Sequence, residues 1–392
     1  MSDPRTRNAA LNEMPVSLIR GGTAYWIQEK ARLISPDQWN LGRRLFIAIT
    51  VAWVPLAVLA GARGGNDFWS VISDYRVNAR VFIAIPLLII AQIGMEQHFR
   101  DMARYFLEAN LVRQQDLGHF QGIMKKAVRL RDAKWPELLV IVGVFLQLAY
   151  MFESGRMRNA SWATDLTTNT LTPAGYWSTF VTQAIFMALI GLVLWKWLIW
   201  ILVMRDLAKM ELRLDPTDGD RIAGLGFLSE IPKAFIPVLL AISAVIGSTW
   251  RFQTLSGEIE LKTLEMPAAL LTVLAMIVFV FPLVVFTPKL LKSKREGAME
   301  YATLRHLYSL DFRKKWVDER PMHLTELLGT RDVGSLSSIS SSFKNVEEMK
   351  IFPFRKSTLV AVVVALAVPM IPVATTQIPL MEVLKSLFNA LH

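Results

Sequence analysis

Residues 177–204 read WSTFVTQAIFMALIGLVLWKWLIWILVM, a run of 28 residues in which Lys196 is the only charged side chain. A helix needs about 20 mostly apolar residues to cross the hydrocarbon layer of a bilayer. The run is long enough for such a crossing, and its apolar character is continuous along the sequence. Residues 177–204 therefore predict a transmembrane helix, and this helix decides the class of fold.

Six further stretches share this apolar character, some of them only with help from their flanks. They lie at 45–62, 81–95, 138–152, 227–250, 267–287 and 357–378. The stretches 81–95 and 138–152 are short, so each needs snorkelling flanks such as Arg80 or Lys134, or local thinning of the bilayer. We therefore expect an all-α fold, a polytopic membrane helix bundle of about seven spans with a helical cytosolic layer.

The composition agrees with a membrane protein and excludes several other classes. Charged residues make up 19% of the 392-residue chain, whereas soluble globular proteins carry about 25%. The apolar residues gather into long blocks, which excludes a soluble enzyme, a disordered protein and a disulfide scaffold. The chain has no cysteine, which excludes Cys-ligated metal sites, thiol catalysis and disulfide bonds.

Basic residues alternate in number between successive segments outside the predicted spans. From the N-terminus onward these segments carry 7, 3, 8, 2, 4, 2, 14 and 1 Lys or Arg residues. Because cytoplasmic loops carry the positive excess, the pattern predicts a cytoplasmic N-terminus and a periplasmic C-terminus. The net charge of +10 is then a signal of membrane orientation and predicts no nucleic-acid partner.

The predicted spans divide the chain into a membrane domain and its flanking segments. Residues 1–44 form a cytoplasmic N-terminal segment. Residues 45–378 form the seven-span membrane domain, with cytoplasmic loops at 98–135, 205–226 and 289–356. Apolar residues recur at helical spacing in 98–134, which predicts an amphipathic hairpin. Residues 379–392 repeat apolar side chains in the same way, which favours an interfacial amphipathic helix or an oligomer contact.

Lipid is the partner that the sequence predicts most directly. Four basic residues stand beside the end of the sixth predicted span, Lys289, Lys292, Lys294 and Arg295. Such a cluster attracts anionic headgroups by about 1 kcal/mol per cation, and it also fixes topology. We therefore expect the bilayer, anionic lipids at the cytoplasmic face and a possible homo-oligomer as partners.

Ionisable side chains inside predicted spans are expensive and are therefore candidates for a pathway or ligand site. Lys196 is one, although the flanking Trp195 and Trp197 would let it reach the headgroups instead. Glu230 and Lys233 are spaced i, i+3 at the start of the fifth span, where they can pair on one helix face. A substrate pathway and a structural or headgroup-binding pair both remain open. Glutamines such as Gln92 favour hydrogen bonds between helices.

The densest polar sequence is DPTDGDR at 215–221. Asp215, Asp218 and Asp220 could supply oxygen ligands for a hard divalent cation, with Arg221 beside them. The spacing differs from a calcium-binding loop, and a Pro/Gly turn leading into the fifth span explains the residues better. We therefore predict no metal and no cofactor, and the chain contains no P-loop, GxSxG or HExxH motif.

The segment from Pro216 to Leu228 reads PTDGDRIAGLGFL. It is similar to the motif PTHPDRAGGLGFL of a family of uncharacterised multi-pass bacterial inner-membrane proteins. Residues 20–22 (RGG), 328–336 (LGTRDVGSL), 352–355 (FPFR) and 378–380 (IPL) also match, so the resemblance covers most of the chain. It implies a bacterial inner-membrane location and no activity. Asp218 stands at the motif's histidine, which weakens any mechanism that needs an imidazole there.

Three functions are compatible with these features. Ionisable groups and prolines within the spans favour a transporter or channel for a small solute or ion. The alternative is a non-catalytic membrane sensor or scaffold, whose inward segments would hold a cytosolic partner. A lipid-active enzyme would need clustered acidic or histidine residues at one interface, and only the loop 215–221 comes close to that pattern.

Overall fold

The structure, a computed structural model, describes residues 17, 21, 23–30, 40–153, 162–165, 168, 170–318 and 331–376. The described α-helices are α1 Thr23–Lys30, α2 Leu41–Arg63, α3 Gly65–Ser73, α4 Tyr75–Glu108, α5 Leu117–Asp132, α6 Trp135–Glu153, α7 Pro173–Lys209, α8 Ile236–Leu255, α9 Glu265–Phe279, α10 Thr287–Arg313, α11 Arg331–Glu347, α12 Lys356–Ala367 and α13 Ile371–Ala374. The predicted interfacial helix 379–392 lies outside the described residues, as does most of the segment 1–44.

Short irregular elements complete the described part of the chain. Turns of π-helix occur inside α4 at Ala79–Ala84, inside α7 at Ser178–Thr182 and after α10 at Lys314–Asp318. The 3₁₀ segments are Gln114–Asp116, Gly226–Phe235, Leu261–Leu264, Phe281–Phe286 and Val368–Met370. Strands β1 (Thr164–Asp165) and β2 (Thr170–Leu171) form an antiparallel hairpin.

Six helical units are long and apolar enough to cross a membrane. They are Leu41–Arg63, Tyr75–Glu108, Pro173–Lys209, Gly226–Leu255, Leu261–Asp318 and Lys356–Ala374. The predicted span 138–152 lies in α6, which joins α5 at a bend of 42° and makes a seventh crossing if the pair counts as one span. The protein is therefore an all-α, multi-pass membrane bundle, as its hydropathy predicts.

Two helical units form the centre of the bundle. In Tyr75–Glu108 and Gly226–Leu255 about half of the apolar window is buried by protein, 50% and 56% respectively. The corresponding fraction is 22% in α2 and in α7, which leave most of their apolar surface facing outward. The central units can therefore bury polar side chains among protein atoms, whereas the outer helices present apolar side chains to lipid.

The two ends of the bundle are built differently. At one end, called the basic end here, α4 continues past the predicted span and packs on α5, with Phe106 and Phe120 6.2 Å apart. Ion pairs connect the helices there, including Lys126 of α5 to Asp206 of α7 at 2.7 Å. This packing confirms the helical spacing that the sequence predicts in 98–134. The opposite end carries α3 and the β-hairpin.

Proline changes the helix type at several joints. Pro232, Pro282 and Pro369 each lie in a 3₁₀ segment that adjoins an α-helix. Proline lacks an N–H and its ring crowds the carbonyl four residues earlier, so tighter 3₁₀ turns accommodate it. Hydropathy predicts a single span from residue 227, but α8 begins only at Ile236.

Candidate functional site

Three polar side chains are buried between α2 and α4 near the basic end. The exposed fraction is 5% for Arg44, 2% for Gln92 and 1% for Glu96. Nη2 of Arg44 donates a hydrogen bond of 2.9 Å to Oε1 of Gln92. One turn further along α4, Nη2 of Arg100 lies 2.7 Å from Oε1 of Glu96. The interhelical role expected for Gln92 is therefore confirmed, and its partner is an arginine.

Lys196 of α7 lies within electrostatic range of this site. Its ammonium group interacts electrostatically with Arg44 and Glu96 as well as with charges on α5 and α6. We call Arg44, Gln92, Glu96 and Lys196 the Arg44 cluster. It unites side chains from three helices that are far apart in the sequence, and Lys196 is the only one of the four predicted from the sequence as a site residue.

The Arg44 cluster is incomplete as a hydrogen-bonded network. Nη1 of Arg44 and Nε2 of Gln92 are both buried, and neither has a hydrogen-bond partner among the residues that the structure describes. An unsatisfied buried donor costs about 1–3 kcal/mol, so native proteins usually supply water, an ion or a ligand at such atoms. Both orphan groups are donors. The arrangement therefore fits a ligand that accepts hydrogen bonds.

An apolar layer of α4 lies beyond the cluster. Between Arg80 and Gln92, the side chains of α4 that face the interior are all apolar, namely Val81, Ala84, Ile85, Leu88, Ile89 and Ala91. The two polar positions are twelve residues apart, or about 18 Å along a helix. Arg100, which pairs with Glu96, is 43% exposed. On α4, the cluster is therefore separated from the opposite end by apolar side chains, and its ion-pair partner Arg100 reaches the surface at the basic end.

The opposite end contains a polar centre of a different kind. Oδ1 of Asp74 accepts hydrogen bonds from N and Nε of Arg76, and Oδ2 accepts from Nη2 of Arg76 and from Nε1 of Trp162, all within 3.1 Å. Burial by itself would raise the pKa of the Asp74 carboxyl, but the hydrogen bonds and charge of Arg76, with the Trp162 bond, hold this pKa below its ordinary value. Asp74 is thus fully engaged in fixing the start of α4.

The aspartates of the loop 215–221 bond to the backbone of their own loop. Oδ1 of Asp220 accepts from the N–H groups of Ile222 and Gly224, and Oδ2 accepts from the N–H of Gly226 at 2.7 Å. Asp215 and Asp218 each accept from the N–H two residues later. Within the described ranges, no group of three or more His, Cys, Asp or Glu side chains is arranged to hold a metal ion. The loop is therefore built as a tight turn, which is the interpretation that the sequence favours.

Backbone conformation explains why the loop needs these carboxylates. Arg221 and Ala223 have φ values of 59° and 55°, in the left-handed region that residues with a side chain rarely adopt. The bonds to Asp220 hold this conformation. A Cβ at Gly226 would lie 2.8 Å from Oδ2 of Asp220, so only glycine allows the close approach.

The loop also attaches the segment after α11 to the membrane bundle. Nη2 of Arg221 pairs with Glu348 at 2.9 Å, and the Arg221 carbonyl accepts from the N–H of Lys350 at 2.7 Å. On its other side, the ring of Phe227 packs at a tilt of 36° against Tyr105 of α4, with ring centres 4.2 Å apart. The predicted site residues Asp215, Asp218, Asp220 and Arg221 are thus brought together in a structural joint.

Glu230 and Lys233 form the pair that their spacing predicts. Nζ of Lys233 donates to Oε2 of Glu230 at 2.5 Å, and Arg355 lies 3.8 Å from the other carboxylate oxygen. The Lys233 and Glu230 side chains are 35% and 42% exposed, and both lie in the 3₁₀ segment before α8. The structure does not bring them to the Arg44 cluster. Their surroundings are those of a partly solvated structural pair.

Sequence reasoning missed Arg44 and Glu96 as site residues. The predicted spans end at 45 and 95, one residue short of each, because hydropathy excludes charged residues from the ends of apolar windows. Helices α2 and α4 continue past both ends, so the two side chains are buried inside the bundle. An ionisable residue directly beside a span, at a helical spacing from a buried polar residue, is the signal that could have found them.

Comparisons with known proteins add no identification. Searches against protein-family models, curated proteins and solved structures find no match for this chain.

Proposed function

We propose that the protein is a bacterial inner-membrane transporter or channel for a small anionic solute, which binds in the Arg44 cluster. The observation that carries the proposal is the pair of buried donors, Nη1 of Arg44 and Nε2 of Gln92, that have no acceptor within the described part of the chain. A solute with two or more acceptor oxygens would satisfy both donors. Intramembrane ionisable groups of this kind are rare, and where they occur they usually mark ion or substrate pathways.

The charge balance of the cluster favours an anion. Arg44 and Lys196 contribute two positive charges, whereas Glu96 contributes one negative charge and already pairs with Arg100. An anion next to Arg44 would neutralise a buried charge that otherwise lacks a full set of partners. Charge-assisted hydrogen bonds from a guanidinium are strong and can hold a carboxylate or phosphate by two parallel bonds.

The apolar layer is compatible with a transporter in a closed conformation. A pathway needs a barrier that opens on one side at a time, and the residues from Val81 to Ala91 provide such a barrier on α4. The π-helical turns at Ala79–Ala84 and Ser178–Thr182 lie at its far edge. Single π-helical turns inside α-helices occur frequently at functional sites, so these turns are where we expect α4 and α7 to change conformation.

The alternation of basic residues supports the proposed orientation, with the N-terminus and the basic end in the cytoplasm and the C-terminus in the periplasm. The resemblance of residues 216–228 to a bacterial inner-membrane motif supports the proposed membrane. In this orientation the Arg44 cluster binds solute from the cytoplasmic side.

Flux in reconstituted liposomes tests the proposal. The full chain would be reconstituted and assayed with a panel of chloride, phosphate, sulfate and small carboxylates. We expect flux of at least one anion above that of empty liposomes and at least a tenfold lower flux in Arg44→Met. Arg43→Met is the matched control, because Arg43 is exposed and next to Arg44. Equal flux in empty and protein-containing liposomes, or equal effects of the two variants, would contradict the proposal.

A second candidate function, a scaffold for a cytosolic partner, is favoured by one surface of α10. Met299, Leu307 and Leu310 lie on one face of this helix and are 76%, 55% and 49% exposed. Exposed apolar faces of this kind often bind partner proteins. Affinity capture from native membranes tests this function, and recovery of only chaperones and abundant lipoproteins would count against it.

A further inference from the structure

A cavity of about 350 Å³ lies at the opposite end of the bundle, between α4, α8 and the segment 369–372. We call it the Arg251 cavity. It is separated from the Arg44 cluster by the apolar layer, and neither the sequence motifs nor the proposed transport function uses it. Its volume falls within the range of small-molecule sites, about 300–1,000 Å³.

The lining of the cavity changes from polar to apolar with depth. On α4 the lining residues run from Tyr75 and Asn78 near the helix start to Phe82 further into the bundle. On α8 they run from Arg251 near the helix end to Ala244, seven residues or about 10 Å deeper. Both walls are therefore polar at the end of the bundle and apolar toward its middle. This gradient matches a molecule with a polar head and an apolar chain.

The polar end of the cavity contains unsatisfied buried atoms. Nε of Arg251 and Oδ1 of Asn78 are both buried, and within the described part of the chain neither has a hydrogen-bond partner. The guanidinium of Arg251 lies over the ring of Tyr75, 4.4 Å from its centre, which holds the cation at the mouth of the cavity. No acidic side chain of the described ranges lines the cavity. The head of a ligand here should therefore carry a negative charge next to Arg251 and a hydroxyl group that can donate to Oδ1 of Asn78.

The cavity opens sideways toward the surface that lipid surrounds. Phe82 and Ile83, which form part of its wall, are each 46% exposed and lie on the outside of the bundle. A ligand can therefore enter from the bilayer with its chain already in the hydrocarbon region. Tyrosine and arginine at the polar end stand where headgroups lie in a membrane protein.

We propose that the Arg251 cavity binds an acidic phospholipid, with the phosphate at Arg251 and Tyr75 and an acyl chain between Phe82 and Ala244. A free phosphate would leave the apolar half of the cavity unfilled, so the observations favour the lipid. This site is distinct from the predicted lipid contact at Lys289–Arg295, which lies at the basic end. It goes beyond the proposed transport function and does not depend on it.

Native mass spectrometry of the full chain tests this site. The protein would be equilibrated with mixed micelles that contain equal amounts of phosphatidylglycerol and phosphatidylcholine, and the retained lipid would be counted after detergent removal. We expect one retained phosphatidylglycerol per chain. Arg251→Ala should lower that occupancy about fivefold, the effect of about one basic residue on an anionic headgroup. Lys262→Ala is the matched control, because Lys262 is an exposed cation at the same end of the bundle and should bind lipid like the wild type.

Ala244→Leu provides a second variant in case Arg251→Ala fails to fold. It fills the apolar end of the cavity, keeps Arg251 and should lower the retained lipid by a similar factor. Equal retention of the two lipids by the wild type would overturn the proposal, as would equal occupancy in the wild type and both cavity variants. Displacement of the bound lipid by inorganic phosphate alone would also overturn it, because the site would then recognise phosphate without the chain. Flux through the Arg44 cluster is measured separately, so failure of either proposal leaves the other distinguishable.

Discussion

The loop 215–221 and the Arg44 cluster contain similar side chains, but they differ in how completely those side chains are bonded. In the loop, the carboxylate of Asp220 accepts three backbone N–H groups, and Arg221 pairs with Glu348. In the cluster, Arg44 and Gln92 each retain a buried donor that no described residue satisfies. The loop is rich in polar residues because its backbone conformation requires them. The cluster retains two buried donors that its own residues do not use.

This difference distinguishes polar groups that stabilise the fold from polar groups that can bind a ligand. A carboxylate that accepts three backbone N–H groups stabilises the fold, and its oxygens are largely occupied by those bonds. A buried donor without an acceptor raises the free energy of the empty protein, and binding of an acceptor removes that cost. The comparison makes different predictions for stability and for flux, and these can be measured in the same set of variants.

The largest loss of stability is expected for Asp220→Ala. The substitution leaves three backbone donors without their acceptor, each worth about 1 kcal/mol, so the free energy of unfolding should fall by about 3 kcal/mol. Asp218→Ala is the control, because Asp218 accepts a single backbone N–H and should lose about 1 kcal/mol. Denaturant unfolding in detergent measures both. Equal stability of the two variants would mean that Asp220 does not hold the loop.

A smaller loss is expected for Asp74→Asn, which removes the charge that Arg76 and Trp162 bind. Hydrogen bonds to charged groups are worth about 1.5–3 kcal/mol, so we expect a loss of about 2 kcal/mol at neutral pH. Because the pKa of Asp74 is lowered in the folded state, its contribution is present above the unfolded pKa of about 3.9 and disappears as the pH falls through the folded value. The difference in unfolding free energy between wild type and variant should therefore narrow as the pH falls from 4 to 3. A constant difference across this range would contradict the assignment.

The double variant Arg44→Met/Gln92→Leu should change stability by no more than about 1 kcal/mol, and the change can be in the favourable direction. Replacing both partners of a buried polar pair by apolar side chains of similar size is often neutral or stabilising. Flux should nevertheless be lost, because the solute would have no donors to bind. If the double variant keeps its flux, the cluster does not bind the solute. If it is destabilised by several kcal/mol, the cluster has a structural role like that of the loop 215–221.

The smallest effect is expected for Lys233→Gln. Its pair with Glu230 is partly solvated, and surface ion pairs contribute about 0–1 kcal/mol. Stability and flux should both stay close to the wild-type values. A loss of flux as large as that of Arg44→Met would indicate that the solute pathway passes Glu230 and Lys233, which the sequence also predicts as candidates.

Hydropathy predicts the fold well because it follows a property shared by many consecutive residues. The run 177–204 lies entirely within α7, and each of the other predicted spans overlaps a helical unit, with 138–152 lying in the bent unit. The turn at 215–221 is also predicted, because Pro216 and Gly219 are local signals. What the sequence does not reveal is the set of contacts made by Asp220, since these depend on the left-handed conformation of Arg221 and Ala223.

The Arg44 cluster could be predicted only in part for a related reason. Lys196 stands out because it interrupts an apolar run, whereas Arg44 and Glu96 lie at span ends where charged residues are common. Only the packing of α2 against α4 buries them, and that packing joins residues 48 positions apart. Whether a buried polar atom has a hydrogen-bond partner depends on residues that only folding brings together. No local sequence pattern therefore distinguishes a polar side chain with all its partners from one that lacks a partner.

The most direct test is a high-resolution experimental map of the full chain in lipid nanodiscs, prepared in a buffer that contains phosphate. The account predicts non-protein density about 3 Å from both Nη1 of Arg44 and Nε2 of Gln92. A map in which these two nitrogens instead donate to protein oxygens, with no density between them, would contradict the proposal that the cluster binds an anion.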